Sequence, residues 1–368
     1  MKNKHKANNK TLIFSFKNSM RKLFTCLLSF YCFTQFAQTG GTGIYKFLDL
    51  TVPSRTSALG GNTIALRDDD ITLSFQNPAL LTSSCSNQAA MAFVDYFSDI
   101  RYGYGAYSKS FEKIGNFGAA MHYVNYGTFT AADEYGKTEG TFTASDYSFN
   151  LTYAREIDST FTYGATLKTI YSKYERYSSF GNALDLGGTY HNFKHNFTCA
   201  LLLRNFGFQW KSYNQDVNES LDFTSQIAFS KKIKKAPFRI HLAYQFLERW
   251  DLTYANPENP EPTVDPFTGE PIKEKKFNKF MDKLGRHLVA STEILVTKNF
   301  NLRLGYSYLR AMDMKLNDRR GWGGLTFGFG FKIYKFQISY ARANYHAAGG
   351  SNHFTLSARL SEFTKTKQ

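Results

Sequence analysis

From about residue 88 onward, apolar side chains recur at every second position over long stretches. Tyr147, Phe149, Leu151 and Tyr153 alternate with Ser148, Asn150 and Thr152. Phe300, Leu302, Leu304, Tyr306 and Tyr308 alternate with Asn301, Arg303 and Ser307, and Phe354, Leu356, Ala358 and Leu360 with Thr355, Ser357 and Arg359. Successive side chains of a strand point to opposite faces, so each segment has one greasy and one polar face.

Fourteen segments read this way: 88–97, 100–110, 115–125, 145–156, 160–173, 180–191, 195–205, 222–232, 237–247, 287–297, 300–311, 322–333, 334–345 and 352–361. Most run 10–12 residues, the length of a tilted strand crossing a hydrocarbon layer and longer than the usual soluble strand. The connections alternate. At one end, the near end, they are short (111–114, 157–159, 192–194, 233–236, 298–299 and a junction at Tyr334). At the far end they are mostly longer (126–144, 174–179, 206–221, 248–286, 312–321 and 346–351), and only the first, near Ser98 and Asp99, is tight. An even number of strands with this asymmetry is the pattern of a transmembrane antiparallel β-barrel over 87–363, with its short turns on the periplasmic side. No apolar stretch past Ser86 is long enough for a spanning helix. In lipid every backbone donor and acceptor must be paired internally, which leaves a closed barrel. A soluble sandwich or repeat protein is the competing architecture.

The N-terminus orders its residues as a secretory signal over 1–37. Seven basic side chains without an acidic one end at Lys22, a mostly apolar run follows from Leu23 to Phe36, and Ala37 precedes a glycine-rich stretch. The formal net charge of +15 is inflated by this segment. Without its seven bases, 38 of the 45 basic residues remain against 30 acidic ones, a net +8. That scattered charge fits solubility, and nucleic acid is not an expected partner. An exported barrel of this kind belongs in a bacterial outer membrane.

No catalytic motif stands out. There is no Gly-x-Ser-x-Gly elbow, His-Glu-x-x-His, phosphate loop or Cys-x-x-Cys, and the histidines past the signal are dispersed. The expectation is a non-enzyme with no cofactor and no metal site. Three adjacent aspartates, Asp68 to Asp70, lack the alternating spacing of a calcium loop. Cys85 and Cys199 could pair in an oxidising compartment or stay free.

One far-end loop holds five of the eight prolines (Pro257, Pro260, Pro262, Pro266 and Pro271) and is therefore not a strand. Its second half, 273–284, spaces Phe277, Phe280, Met281 and Leu284 as one face of a short amphipathic helix. With Trp250, Tyr254 and Phe267 these form a candidate partner-binding loop. The alternative is a loop folded back on the barrel rim.

Residues 38–86 do not alternate. They carry Arg55, then Ala58-Leu59-Gly60-Gly61, then Asp68 and Asp69, then Asn77-Pro78-Ala79-Leu80. Glycines at 60 and 61 permit a tight backbone path, and Asn77 can cap a turn that Pro78 begins. The block reads as a plug for the barrel, its aspartates pairing with lumen arginines such as Arg239 or Arg303. A dedicated ligand site is the alternative.

This block, in this order before a barrel, resembles the FadL-type outer-membrane proteins. It is more similar still to the PorQ family of the type IX secretion system and its PorV relatives. Asn125-Tyr126-Gly127, Ser178-Ser179-Phe180-Gly181, Leu203-Arg204-Asn205-Phe206-Gly207 and Arg249-Trp250-Asp251-Leu252 extend the likeness over about residues 40–363. The resemblance implies a fourteen-strand barrel plugged by its N-terminal segment. It also implies a role as a non-enzymatic secretion component. Its partners would be a PorZ-like surface protein, other type IX components, and outer-membrane lipid and lipopolysaccharide. The wider FadL-type group implies the other function, a channel for hydrophobic small molecules.

Overall fold

The computed structural model describes residues 43–214, 219–253, 276–314, 322–346 and 349–364. Residues 1–37, expected to be a secretory signal, lie outside the described residues. Fourteen strands form one closed antiparallel barrel in which each pairs with its sequence neighbours and the last returns to the first. They are β1 Gln88–Asp95, β2 Arg101–Phe111, β3 Gly115–Ala132, β4 Thr138–Glu156, β5 Phe161–Tyr174, β6 Tyr177–Asn192 and β7 Phe197–Lys211, followed by β8 Thr224–Lys232, β9 Phe238–Gln245, β10 Leu288–Ile294, β11 Phe300–Ser307, β12 Leu325–Ile333, β13 Phe336–His346 and β14 Gly349–Arg359. Closure runs from Gln88 opposite Arg359 to Asp95 opposite Asn352. A closed sheet leaves no unpaired edge, which is the condition for a backbone in hydrocarbon.

The alternation resolves into two faces. Met91, Phe93, Phe149, Leu151, Leu167, Leu201, Ile240, Leu242, Leu304, Phe327, Phe354 and Leu356 point outward and are well exposed. A continuous apolar belt on this scale is a surface for lipid, far larger than the patches that soluble monomers expose. The inward positions are polar or small: Ser148, Asn150, Ser172, Asp185, Ser230, His241, Glu293, Arg303 and His353 are all buried. Among the described residues no helix is long and apolar enough to cross a membrane.

The wall departs from the sequence expectation at the far end. β3 and β4 run on through 126–144, so only 133–137 remain as their connection. Beyond the belt this ribbon pairs Thr128 with Thr143 and Thr130 with Thr141, and stacks Phe129 on Phe142 at 5.2 Å. Threonines on one face and this aromatic pair on the other keep the alternation, but over too few apolar residues to read as a strand in the sequence. The expected loop at 174–179 is a tight turn between Tyr174 and Tyr177, with Glu175 in the left-handed region at φ 55°. β11 ends at Ser307 instead of near 311 and turns into a short helix, Tyr308–Asp313. The barrel is therefore lopsided. β3 to β7 have 14–19 residues, whereas β8 to β12 have 7–9.

Residues 43–87 fold inside the lumen as short turns. α1 is Ser54–Ala58, and four 3-10 turns span Lys46–Asp49, Ile71–Phe75, Pro78–Leu80 and Ser83–Cys85. Two of them begin at a side-chain cap. Asp70 accepts from the Thr72 N–H, and Asn77 accepts from the Ala79 N–H at 3.0 Å with Pro78 at the first position, as its sequence suggests. The helices outside the plug are α2 Lys276–Arg286, α3 Tyr308–Asp313 and α4 Ser361–Thr364.

Candidate functional site: the plugged lumen

The plug is fastened to the wall at three places, each built from complementary chemistry. The first is an ionic lattice. Arg55 of α1 donates from Nε and Nη2 to both carboxylate oxygens of Glu293 on β10, at 2.9 and 3.0 Å. The same guanidinium reaches Asp70 at 3.1 Å and Asp68 at 2.6 Å. Arg239 on β9 joins Asp68 at 2.7 Å and Glu293 at 3.1 Å, and Arg303 on β11 donates from Nε to Glu293 at 3.2 Å. Three arginines thus meet three carboxylates in a charge-balanced cluster with little access to water. Such a cluster is tolerated away from water because nearly every oxygen is hydrogen-bonded. Burial lowers the proton affinity of Arg55, but Glu293, Asp68 and Asp70 outweigh it and hold the guanidinium well above its ordinary value. Burial likewise opposes ionisation of Asp68, and the fields of Arg55 and Arg239 outweigh it, so the carboxyl lies below the usual carboxylate range.

The predicted aspartate–arginine pairing is half realised. Asp68 meets Arg239 as expected, whereas Arg303 meets Glu293, a strand residue that no local motif marks. Asp69 points the other way, to Arg359 at the near end, 3.2 Å away.

The second fastening is steric. Four inward glycines of the wall leave a track on which the plug backbone rests. A Cβ on Gly164 would lie 2.7 Å from the carbonyl carbon of Pro78, and one on Gly328 would lie 2.7 Å from Ala58 Cβ. One on Gly305 would meet the backbone of Leu59 and Gly60, and one on Gly187 the side chain of Asn77. Gly60 itself has φ 83° and Gly61 φ 88°, which only glycine adopts without strain. Arg310 of α3 donates to the Gly60 carbonyl at 2.8 Å and closes this corner from the far end. The motif residues Arg55, Gly60, Gly61, Asp68, Asn77, Pro78 and Ala79 are thus brought together as plug-to-wall contacts, with Asp69 at the rim. The wall glycines were missed in the sequence, although small residues at inward positions of alternating strands were the available signal.

The third fastening lies at a seam in the wall. Hydrogen-bonded pairing between β7 and β8 stops at Arg204 opposite Thr224, yet β7 continues to Lys211. A bulge breaks β7 here. Leu186 of β6 faces Leu203 while Leu184 faces Phe206, and Asn205 sits in the left-handed region at φ 59°. Asp185 caps the bulge by accepting the Asn205 N–H at 2.9 Å, and Lys168 bridges Asp185 at 2.7 Å and Asn205 Oδ1 at 2.9 Å. The plug grips these same residues. Arg204 donates to the Leu48 carbonyl at 2.9 Å and to Gln76 at 3.3 Å, and Asn205 donates to Asp49. Ile44 forms a parallel bridge with Leu221, just ahead of β8. Past the bulge, Phe206, Phe208 and Trp210 point outward and are strongly exposed. Inside, Ile44, Phe47, Leu48, Ile170, Ala183 and Leu221 belong to one apolar cluster. Deeper in the lumen a recess of about 20 Å³, room for roughly one water molecule, is lined by Ile71, Phe75, Tyr104, Ala106, Ala120 and Lys168, among others.

The candidate partner loop is only partly described, with Tyr254 and Phe267 outside the described residues. α2 follows it at 276–286, close to the expected 273–284. Trp250 packs on Phe280 at 5.5 Å and on His287 at 5.7 Å, and Lys283 pairs with Asp251 at 2.6 Å. Tyr308 of α3 donates to Asp282 at 2.9 Å. The C-terminal half of α2 is therefore docked on the rim, while Phe277, Phe280 and Met281 remain exposed.

Cys85 is buried in the plug, while Cys199 stands at an outward position of β7, and both are free thiols. Among the described residues no group of three or more His, Cys, Asp or Glu side chains could hold a metal ion.

No family model matches the chain, and no curated protein matches it. Among solved structures, it is similar to the toluene transporter TodX of Pseudomonas putida at 12% identity and a TM-score of 0.47, covering 84% of this chain and 97% of that one. It is similar to a FadL homologue of Pseudomonas aeruginosa at 9% identity and a TM-score of 0.45, covering 87% and 99%. It is more distantly similar to the KdgM porin, at 8% identity and a TM-score of 0.31, covering 74% and 98%. Likeness this distant carries no argument about activity.

Proposed function

We propose that this protein is an outer-membrane conduit for small hydrophobic molecules, which leave or enter the lumen sideways at the β7–β8 seam when the plug shifts. The observation that carries the reading is a coincidence of three features at one place. Wall pairing ends at Arg204, the plug's Leu48, Asp49 and Gln76 hold Arg204 and Asn205, and apolar side chains stand on both sides of that break. A hydrophobic solute gains most by passing from an apolar interior to lipid without crossing water. The tight packing of the plug supports a gated route over an open pore. The test is uptake of a labelled monoaromatic hydrocarbon or long-chain fatty acid by cells with and without the protein. Deleting Asn205, which realigns the β7 register, should cut uptake severalfold while barrel assembly persists. Equal uptake in cells with and without the protein would overturn the reading.

A second reading is favoured by one observation, the exposed stripe of Phe277, Phe280 and Met281 on α2. In it, the barrel anchors a PorZ-like surface protein within type IX secretion, through its far-end loops. Removing residues 256–279 should then abolish recovery of that partner from detergent-extracted membranes and leave solute uptake untouched. A partner that co-purifies equally well after the deletion would end this reading.

A further inference from the structure

We infer that α2 is an interfacial helix whose apolar stripe rests in the headgroup zone of the outer leaflet, with its lysines toward the phosphate groups of that lipid. Its composition suits such a surface. Between Lys276 and Arg286 stand four basic side chains (Lys276, Lys279, Lys283 and Arg286) and one acidic one, Asp282. Phe277, Phe280, Met281 and Leu284 fall on one side of the helix. Lys276, four residues before Phe280, and Lys283, three after it, border that side. A basic helix with one aromatic-rich side lies in a membrane surface, and lysine stems reach from its border to the headgroups. Phe277, Phe280 and Met281 are 70%, 51% and 45% exposed, so the described residues leave the stripe largely uncovered.

Three observations set lipid against it. The stripe continues the belt. Tyr244 occupies an outward position of β9, between the buried Ala243 and Gln245. Its ring stacks on His287 at 4.7 Å, His287 stacks on Trp250 at 5.7 Å, and Trp250 packs on Phe280 at 5.5 Å. A series of rings thus leads from the lipid-facing wall to α2. Next, β9 and β10 have only 8 and 7 residues. Strands this short do not reach across an apolar band of about 25 Å, so lipid on this side extends to the rim on which α2 lies. Last, the chain's three tryptophans all stand at the far end: Trp210 near the end of β7, Trp250 after β9 and Trp322 ahead of β12. All three are exposed, and tryptophan collects where hydrocarbon meets water. Charge agrees with this placement. Lys283 pairs with Asp251, and Arg286 with Asp282 and Asp313, which pins the C-terminal half of α2 to the rim. The N-terminal half, with the exposed Lys276 beside Phe277, is left to meet anionic headgroups. Lipid then takes the stripe that the anchoring reading gives to a surface protein, and the conduit reading stands whether or not α2 touches lipid.

Photo-crosslinking in intact outer membranes tests this. A diazirine amino acid replaces Phe277 or Met281 in the full-length protein, with Leu242 of the belt and Tyr135 of the exposed 133–137 turn as references. Barrels of normal heat-modifiable mobility are taken, and their adducts identified by mass spectrometry. Both α2 positions should give lipid adducts severalfold above Tyr135 and approaching Leu242. A lipid yield no greater than that of Tyr135 at either α2 position would overturn the inference, and so would protein adducts in place of lipid ones. Lys276→Glu should lower the lipid yield at Phe277 severalfold, and an unchanged yield would overturn the headgroup contact.

Discussion

Arg55 and Glu293 lie 238 residues apart in the chain and meet inside the barrel through two parallel guanidinium–carboxylate hydrogen bonds. One partner belongs to the plug and the other to the wall, so this pair ties the two together through a charged, two-pronged contact. Arg55→Ala strands Glu293 and Asp70 with fewer cations where water hardly reaches, and takes one of its two arginines from the part-exposed Asp68. Breaking one partner of a buried pair costs on the order of 3–5 kcal/mol, and here the cost falls on plug seating. In planar bilayers the variant should show ion conductance that the wild type lacks. Arg55→Lys should be intermediate, since lysine keeps the charge without the fork. Glu293→Gln combined with Arg55→Ala should be far less than additive, as expected of two groups in one network. Wild-type conductance in Arg55→Ala would remove the lattice from its role as a latch.

The pH dependence follows from Asp68. Its folded-state carboxyl titrates below the usual range, so it contributes stability that is fully present above about pH 4, the ordinary aspartate value, and is lost as pH falls through the depressed one. The plug should stay seated from neutral pH down to about pH 4 and loosen only in stronger acid. Conductance recorded stepwise from pH 7 downward checks this, and opening between pH 6 and 5 would contradict it.

The glycine track makes a prediction about assembly. Gly164→Val or Gly305→Val should leave strand pairing intact, because either strand accepts a β-branched residue, yet push the plug backbone off the wall. The folded barrel should keep its heat-modifiable mobility while plug peptide bonds near Leu59 or Pro78 become cleavable by added protease. Full protease resistance in both variants would show that the plug does not lie on that track.

The two thiols should behave differently. Burial pushes the Cys85 thiol up to about 11, so its neutral form is favoured in the plug. The native barrel should leave Cys85 unlabelled by any maleimide at pH 8. Cys199 should react with a membrane-soluble reagent and resist a charged one, since it faces the belt. Peptide mass spectrometry reads both outcomes, and a disulfide between the two would refute the placement.

Much of the barrel was legible because lipid on one side and polar plug on the other force a strict period of two. Phe300 to Ser307 and Phe354 to Leu360 carried that signal wherever the belt runs. It failed at Thr128, Thr130, Thr141 and Thr143, where one aromatic pair, Phe129 and Phe142, is all that marks the apolar face. Local chemistry such as the Asn77 cap on Ala79 was readable, because cap and capped residue lie two positions apart. Glu293 and Gly164 were not readable. Their roles come from the plug residues that face them across the lumen, and nothing in the neighbouring sequence records who those are. Likewise the β7 bulge depends on Asp185 of the adjacent strand reaching the Asn205 N–H.

The unequal wall has a consequence for the lipid itself. Seven residues of β10 tilted by about 40° rise roughly 18 Å, less than the apolar band of about 25 Å typical of such barrels, whereas nineteen residues of β4 rise roughly 49 Å. The extra height of β4 stands beyond the belt, so the mismatch falls on the short side, where the bilayer thins beside β8 to β12 or the molecule leans, at a fraction of a kcal/mol per Å. The seam between β7 and β8 falls where tall staves give way to short ones. A bilayer thinned along the short staves would therefore meet the barrel beside the break in its hydrogen bonding.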